Sequence, residues 1–155
     1  MRHPSLIPLS HDHHHGLALA LRCRKQALGH IKPMGTAGLH ERAAEVVAFY
    51  DSNLIAHFRA EEEVLFPMLR VAVPQSGPMI EQLLKDHERI HASMVQLKGG
   101  AGLAKLLFDL GDLLEHHIRR EERELFPLFE QQVNASEAES IGEKLEKILA
   151  AKSKN

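Results

Sequence analysis

The chain has 155 residues, 44% of them hydrophobic and 26% charged, with a formal net charge of −2. Such a chain is expected to form one globular domain over residues 1–155, and its charge argues against a general nucleic-acid binder. Its single cysteine, Cys23, excludes an intrachain disulfide. No stretch approaches the ~18 apolar residues of a membrane span, and Pro4 and Pro8 break the only apolar run near the N-terminus. The expectation is a cytoplasmic protein with no membrane and no nucleic-acid partner.

In chain order, the first helix is predicted from about Ser10 to Leu28, ending at Gly29 before a loop marked by Pro33, Gly35 and Gly38. The second runs from about Leu39 to Leu69, with Pro67 near its end, and Val71–Pro78 turns the chain. The third runs from about Met79 to Leu97 and stops at Gly99–Gly100. The fourth runs from about Leu103 to Phe129, with Phe66–Pro67 and Phe126–Pro127 each closing a helix end over the core. A shorter fifth helix, about 136–151, opens on Ser136-Glu137-Ala138-Glu139, which has the form of a capping box. No segment alternates with period two. Long helices joined by short loops predict an all-α fold: an antiparallel up-down four-helix bundle, about residues 9–132, with the short fifth helix appended.

Two features stand out against this background. There are 12 histidines and no tryptophan. The stretch HFRAEEEVLFP, from His57 to Pro67, returns sixty residues later as HIRREERELFP, from His117 to Pro127, with seven of eleven positions identical. The first and third helices also share an Asp–His pair, Asp12-His13 and Asp86-His87. The order is therefore DH, HxxxEExxLFP, DH, HxxxEExxLFP: two similar helix pairs around one core.

Residues four apart share a helix face, so His57 joins Glu61, His87 joins His91 and His117 joins Glu121. One His–Glu pair alone is most often a solvated pair worth a few tenths of a kcal/mol. Here the pairs sit among Leu54, Leu65, Leu110, Leu114 and Leu125 on core-facing stripes, and a buried glutamate is rare unless paired or bound to metal. The inferred set is His13, His57, Glu61, His87, His91, His117 and Glu121. Five imidazoles and two carboxylates exceed one tetrahedral zinc and suit two first-row ions bridged by carboxylates, iron before others. Three choices stay open at this level: His13 or His14, His117 or His116, and Glu121 or Glu122. His11 and His15 read as solvated or as supports behind the ligands, Tyr50 as a core aromatic, and Glu62, Glu63 and Arg123 as outward-facing.

These motifs, in this order, resemble the hemerythrin-like family, the HHE cation-binding domain, over about Leu9 to Phe129. One departure is that oxygen-carrying members place an Asp five residues after the fourth-helix His, where this chain has Glu122 after His117. The resemblance implies a non-haem di-iron cofactor, two iron ions with an oxo or hydroxo bridge. It also implies binding of O2 or another small diatomic or anionic ligand, in carriage, in oxygen, iron or redox sensing, or in a stress response. An alternative is a di-iron enzyme, an oxidase or a peroxide consumer, or an iron donor in repair of iron centres under nitrosative stress. A binding protein is expected ahead of an enzyme.

Overall fold

A computed structural model describes residues 1–151. After a single 3-10 turn at Pro4–Leu6, α1 spans Ile7–Ala27, α2 residues 35–72, α3 Gly77–Gly99, α4 residues 103–132 and α5 Ala135–Ala151. The described residues form an all-α bundle, four long helices plus a C-terminal fifth, as the sequence predicts.

The core falls into two apolar halves. One gathers Leu6, Leu9, Leu65, Phe66, Leu69, Ile80, Leu83, Leu125, Phe126 and Phe129, and α5 covers it with Ala138, Ile141, Leu145 and Leu149. The other gathers Leu19, Ala20, Cys23, Val46, Leu54, Phe58, Ile90, Met94, Leu107, Leu110, Leu114 and Ile118. Along each of α1 to α4 the inward His or Glu residues fall between these two sets. The polar site is thus a layer with apolar packing on both sides, which keeps bulk water away from it.

Both prolines expected to close a helix lie inside one. α2 continues past Pro67 to Ala72, and α4 past Pro127 to Gln132. A proline within a helix lacks the N–H for its i−4 bond, and its ring meets that carbonyl. In both helices the turn before the proline is widened to π geometry, at Glu61–Leu65 and Glu121–Leu125, so that the Phe66 amide donates to the Glu61 carbonyl and the Phe126 amide to the Glu121 carbonyl. The wider turn adds a residue and gives the proline ring room. A third widened turn, Tyr50–Leu54, has no such proline after it. It places Asn53, whose Nδ2 donates to Asp12 Oδ1 at 3.1 Å.

The start of α5 also differs from expectation. Asn134, not Ser136, is the cap: its side-chain oxygen accepts from the Glu137 amide at 2.9 Å. An asparagine at this position satisfies an orphan N–H directly, so the Ser136 pattern is not used.

α1 and α4 pack closely at Gly111. A Cβ there would lie 2.7 Å from the Ala20 carbonyl oxygen and 2.9 Å from Arg24 Cγ. Arg24 also donates to the Gly111 carbonyl at 3.2 Å and pairs with Glu115 at 2.7 Å. Gly111→Ala therefore has to push two backbones apart. It is expected to cost about 1–3 kcal/mol despite alanine's better helix propensity, read as a lower denaturation midpoint with unchanged slope. A neutral or stabilising result would show that the α1–α4 contact yields easily.

Candidate metal centre

His57 and Glu61 come from α2, His117 and Glu121 from α4, His13 from α1 and His87 from α3. All six are buried, and both glutamates are 0% exposed. Their ligand-capable atoms converge in two groups of four: His13, His57, Glu61 and Glu121 in one, and Glu61, His87, His117 and Glu121 in the other. Both glutamates belong to both groups. Glu121 turns Oε1 toward His13 Nε2 at 2.9 Å and Oε2 toward His117 Nε2 at 3.4 Å. Glu61 turns Oε1 toward His87 Nε2 at 3.1 Å and Oε2 toward His57 Nε2 at 3.5 Å. Each carboxylate thus presents one oxygen to each imidazole pair, the arrangement of a bridge between two cations.

The outer nitrogens follow an equally regular pattern. Asp12 on α1 takes His57 Nδ1 on α2 at 3.1 Å. Glu62 on α2 takes His87 Nδ1 on α3 at 2.7 Å. Asp86 on α3 takes His117 Nδ1 on α4 at 3.0 Å. Glu122 on α4 takes His13 Nδ1 on α1 at 2.6 Å. The contacts close a ring around the bundle, each helix giving a carboxylate to the next. An ionised carboxylate only accepts, so every Nδ1 donates, and every Nε2 lone pair is left facing the centre. Carboxylates behind ligating imidazoles fix ring orientation and raise basicity in just this manner.

The seven residues named from the sequence do not all meet. His91 stands outside both groups. Its Nδ1 is paired with the Tyr50 hydroxyl, and its ring lies edge-on to Phe58 with centroids 5.6 Å apart. Phe58 in turn stacks on His87 at 3.9 Å, so an aromatic ring touches both histidines of the His87-x-x-x-His91 pair. Of the open alternatives, His13 and His117 are buried while His14 and His116 are exposed. Glu121 lies in the centre and Glu122 behind His13. Glu62 is not simply outward-facing: its side chain is 41% exposed, yet it holds His87.

From sequence, Glu122 stood as an alternative ligand to Glu121 and Glu62 as outward-facing, and none of the four outer carboxylates was assigned to the back of an imidazole. The signal was present, because Asp precedes His13 and His87, and a second Glu follows Glu61 and Glu121. It was obscured because each partner lies on a different helix.

The donor chemistry tests whether metal fits. Several buried atoms have no partner in hydrogen-bond geometry: His13 Nε2, His117 Nε2, Glu61 Oε2 and both oxygens of Glu121. They all face the same small volume, and unsatisfied buried polar groups at this density are costly. Mixed imidazole and carboxylate donors suit first-row transition ions better than calcium or magnesium, which take oxygen. The residues present therefore fit a pair of such cations.

Without a cation, protons are drawn to the same place. Burial opposes charge on His117, but the Glu121 carboxylate and the Asp86 bond outweigh it and raise its pKa to about 10. His57 is raised well above its usual range against burial by Glu61 and Asp12. Burial and the Glu121 charge push Glu61 up to about 8. Burial is outweighed at Glu121, which the His117 charge holds well below the usual carboxylate range. His87 falls to about 4 through burial and the facing His117 charge.

The sign of the pH dependence follows. A raised group binds its proton in the fold more tightly than in the unfolded chain, so its contribution is complete below the unfolded pKa and is lost as pH rises through the folded one. His117 places that window between 6.5 and about 10. The depressed His87 and Glu121 act only below it. Metal-free protein is therefore expected to lose stability from about pH 7 to about pH 10, while metal affinity, which needs the deprotonated nitrogens, rises. Denaturant midpoints with and without metal across this range check both signs. A metal-free midpoint that climbs with pH would contradict the proton-filled centre.

The family model for the hemerythrin HHE cation-binding domain matches residues 5–150. The chain belongs to that family. No curated protein and no solved structure matches it. Family and site agree on a metal-binding, hemerythrin-like protein. Among the described residues no helix is long and apolar enough to cross a membrane.

Proposed function

We propose that this chain is a non-haem di-iron protein whose ligands are His13, His57, Glu61, His87, His117 and Glu121, and that it binds O2 or a related small ligand in sensing, carriage or a redox-stress response. The observation that carries the reading is the sharing of Glu61 and Glu121 between two groups of four buried donors. Bound iron would supply reversible redox chemistry and open coordination positions. The chain's own residues do the rest. Glu61 and Glu121 would hold the cations between them, and Asp12, Glu62, Asp86 and Glu122 fix the imidazole rings. The apolar layers around Phe58, Leu65, Phe66 and Phe126 exclude water.

His91 is the one residue of the sequence-derived set that this proposal leaves out. Each donor group has two imidazoles and the two shared carboxylates, so bound cations would keep positions for a small ligand. Beyond this layer His91 is paired with the Tyr50 hydroxyl.

The test is anaerobic loading of metal-free protein with ferrous iron, a count of iron per chain, and then oxygen titration. Two irons and a visible charge-transfer band that reverses when oxygen is withdrawn support a binding protein. Steady oxygen consumption with no stable adduct supports the enzyme alternative. Native protein carrying stoichiometric zinc and no iron would sink the di-iron reading.

A further inference from the structure

Most of the N-terminal histidine cluster is not absorbed by the buried centre. His13 points inward, but His11, His14 and His15 on the same turns of α1 are exposed. His11 and His15 are four residues apart, so their rings share a face, and their centroids lie 5.1 Å apart at 69°. Two imidazoles bound cis to one ion, with metal–nitrogen bonds of about 2.0–2.1 Å, require centroids at about this separation. No hydrogen bond or ion pair commits these three side chains to another described residue.

Their position relative to the centre is the second observation. His11 and His14 line an open cleft of about 420 Å³ with Ser10, Arg2, Glu122 and Glu130. Glu122 is the inner wall of that cleft. Its side chain is 24% exposed on the cleft side, and its Oε2 holds His13 Nδ1 at 2.6 Å. Ser10 Oγ donates to the same oxygen at 2.6 Å. Arg2 pairs with the other, Oε1, at 3.2 Å. Surface imidazoles, a partly exposed carboxylate and a buried imidazole therefore follow one another from solvent to the centre, with His11 belonging both to the surface pair and to the cleft.

We propose that His11 and His15, assisted by His14, form an outer divalent transition-metal site that captures an ion and passes it through the Glu122 cleft to the buried centre. The inference rests on the metal-centre reading above. Imidazole pairs favour borderline first-row dications over magnesium or calcium, the same class the centre takes. An exposed two-nitrogen site holds an ion more weakly than a buried site with bridging carboxylates, so transfer runs inward. Holding an ion at the mouth of the cleft raises its local concentration there. The expected effect on loading is about tenfold, at the low end of what surface steering achieves.

The experiment uses the full chain, freed of metal, and cobalt(II) chloride as the probe. The visible bands of cobalt report filling of the centre in rapid mixing, and NMR of the imidazole protons reports the surface. In the wild type, the His11 and His15 signals should broaden at low cobalt, before the centre is full. In H11Q/H15Q the centre should fill about tenfold more slowly to the same final stoichiometry. Both positions are exposed and glutamine is a good helix former, so melting should not change. H30Q/H40Q removes two other exposed histidines and should load at the wild-type rate. If H11Q/H15Q loads as fast as wild type, or H30Q/H40Q slows it equally, the capture site is overturned and the centre stands. A wild-type chain whose centre takes no cobalt overturns the centre itself, and this inference with it.

Discussion

Glu121→Ala is expected to lower bound iron from about two ions per chain to well below one. The carboxylate is 0% exposed and gives one oxygen to each donor group, 2.9 Å from His13 Nε2 and 3.4 Å from His117 Nε2. Its loss removes a donor from both groups together. No neighbour replaces it, because Glu122 is already shared among His13, Ser10 and Arg2. The alanine variant also leaves His117 without its buried counter-charge, and breaking a buried pair costs about 3–5 kcal/mol. Poor folding could then mimic metal loss, so Glu121→Gln is the partner variant: it keeps the volume and one acceptor oxygen but cannot bridge as an anion. Glu122→Gln should retain metal with about 10–100-fold weaker affinity, as for other groups that support a ligand from behind. Metal counting by elemental analysis, with melting curves for each variant, separates these roles. Two irons in Glu121→Ala together with loss in Glu122→Ala would transfer the bridging role to Glu122.

The second large effect is on stability. Stripping metal should lower Tm by about 10 °C or more. Free metal at about 1,000 times its dissociation constant stabilises the fold by about 4 kcal/mol for one site. A chain of this size moves by about 2–4 °C for each kcal/mol. The metal-free layer has only protons to satisfy it: Glu61 and Glu121 face one another among four buried imidazoles, and three carboxylate oxygens and two imidazole nitrogens there lack hydrogen-bond partners. Scanning calorimetry before and after chelation, with iron restored afterwards, measures the difference. Identical melting in the two states would mean that the polar layer is stable as built, and that cations are not what the donors are arranged for.

The fold was legible because it is written in local terms. Apolar spacing and Gly or Pro punctuation placed all five helices, and Gly100 ends α3 in the left-handed conformation with φ 77° that its neighbours predict. The errors have tertiary causes. Pro67 and Pro127 read as lying near helix ends at Leu69 and Phe129, and the helices run three residues further because sequence alone does not show a widened turn absorbing a proline. Asn134 displaced Ser136 as a cap because helix start points depend on where the preceding chain arrives.

The site divides along the same line. His57 with Glu61 and His117 with Glu121 share a face by spacing alone, so sequence could pair them. His91 shares a face with His87 by the same rule, yet Tyr50 and Phe58 from α2 occupy its side of the helix. The outer carboxylates were harder still. Asp12 holds not its neighbour His13 but His57, 45 residues away, and no one-dimensional spacing encodes that choice.

The ring of carboxylate-to-imidazole contacts has a symmetry of its own. A half-turn that exchanges α1 with α3 and α2 with α4 carries Asp12 onto Asp86, His13 onto His87, His57 onto His117 and both glutamates of each pair onto their counterparts. The same exchange carries Glu61 onto Glu121, and the two donor groups correspond to one another. Neither half contains a finished position, since each needs a bridging glutamate from the other. A helical hairpin carrying DH and HxxxEExxLFP, paired with a second copy of itself, would have complete donor sets at both positions under true two-fold symmetry. The single chain retains the chemistry of such a dimer while freeing the two copies to differ. Its surface already differs: the imidazoles at His11, His14 and His15 precede one half and have no equivalent in Lys85, Glu88 and Arg89 beside the other.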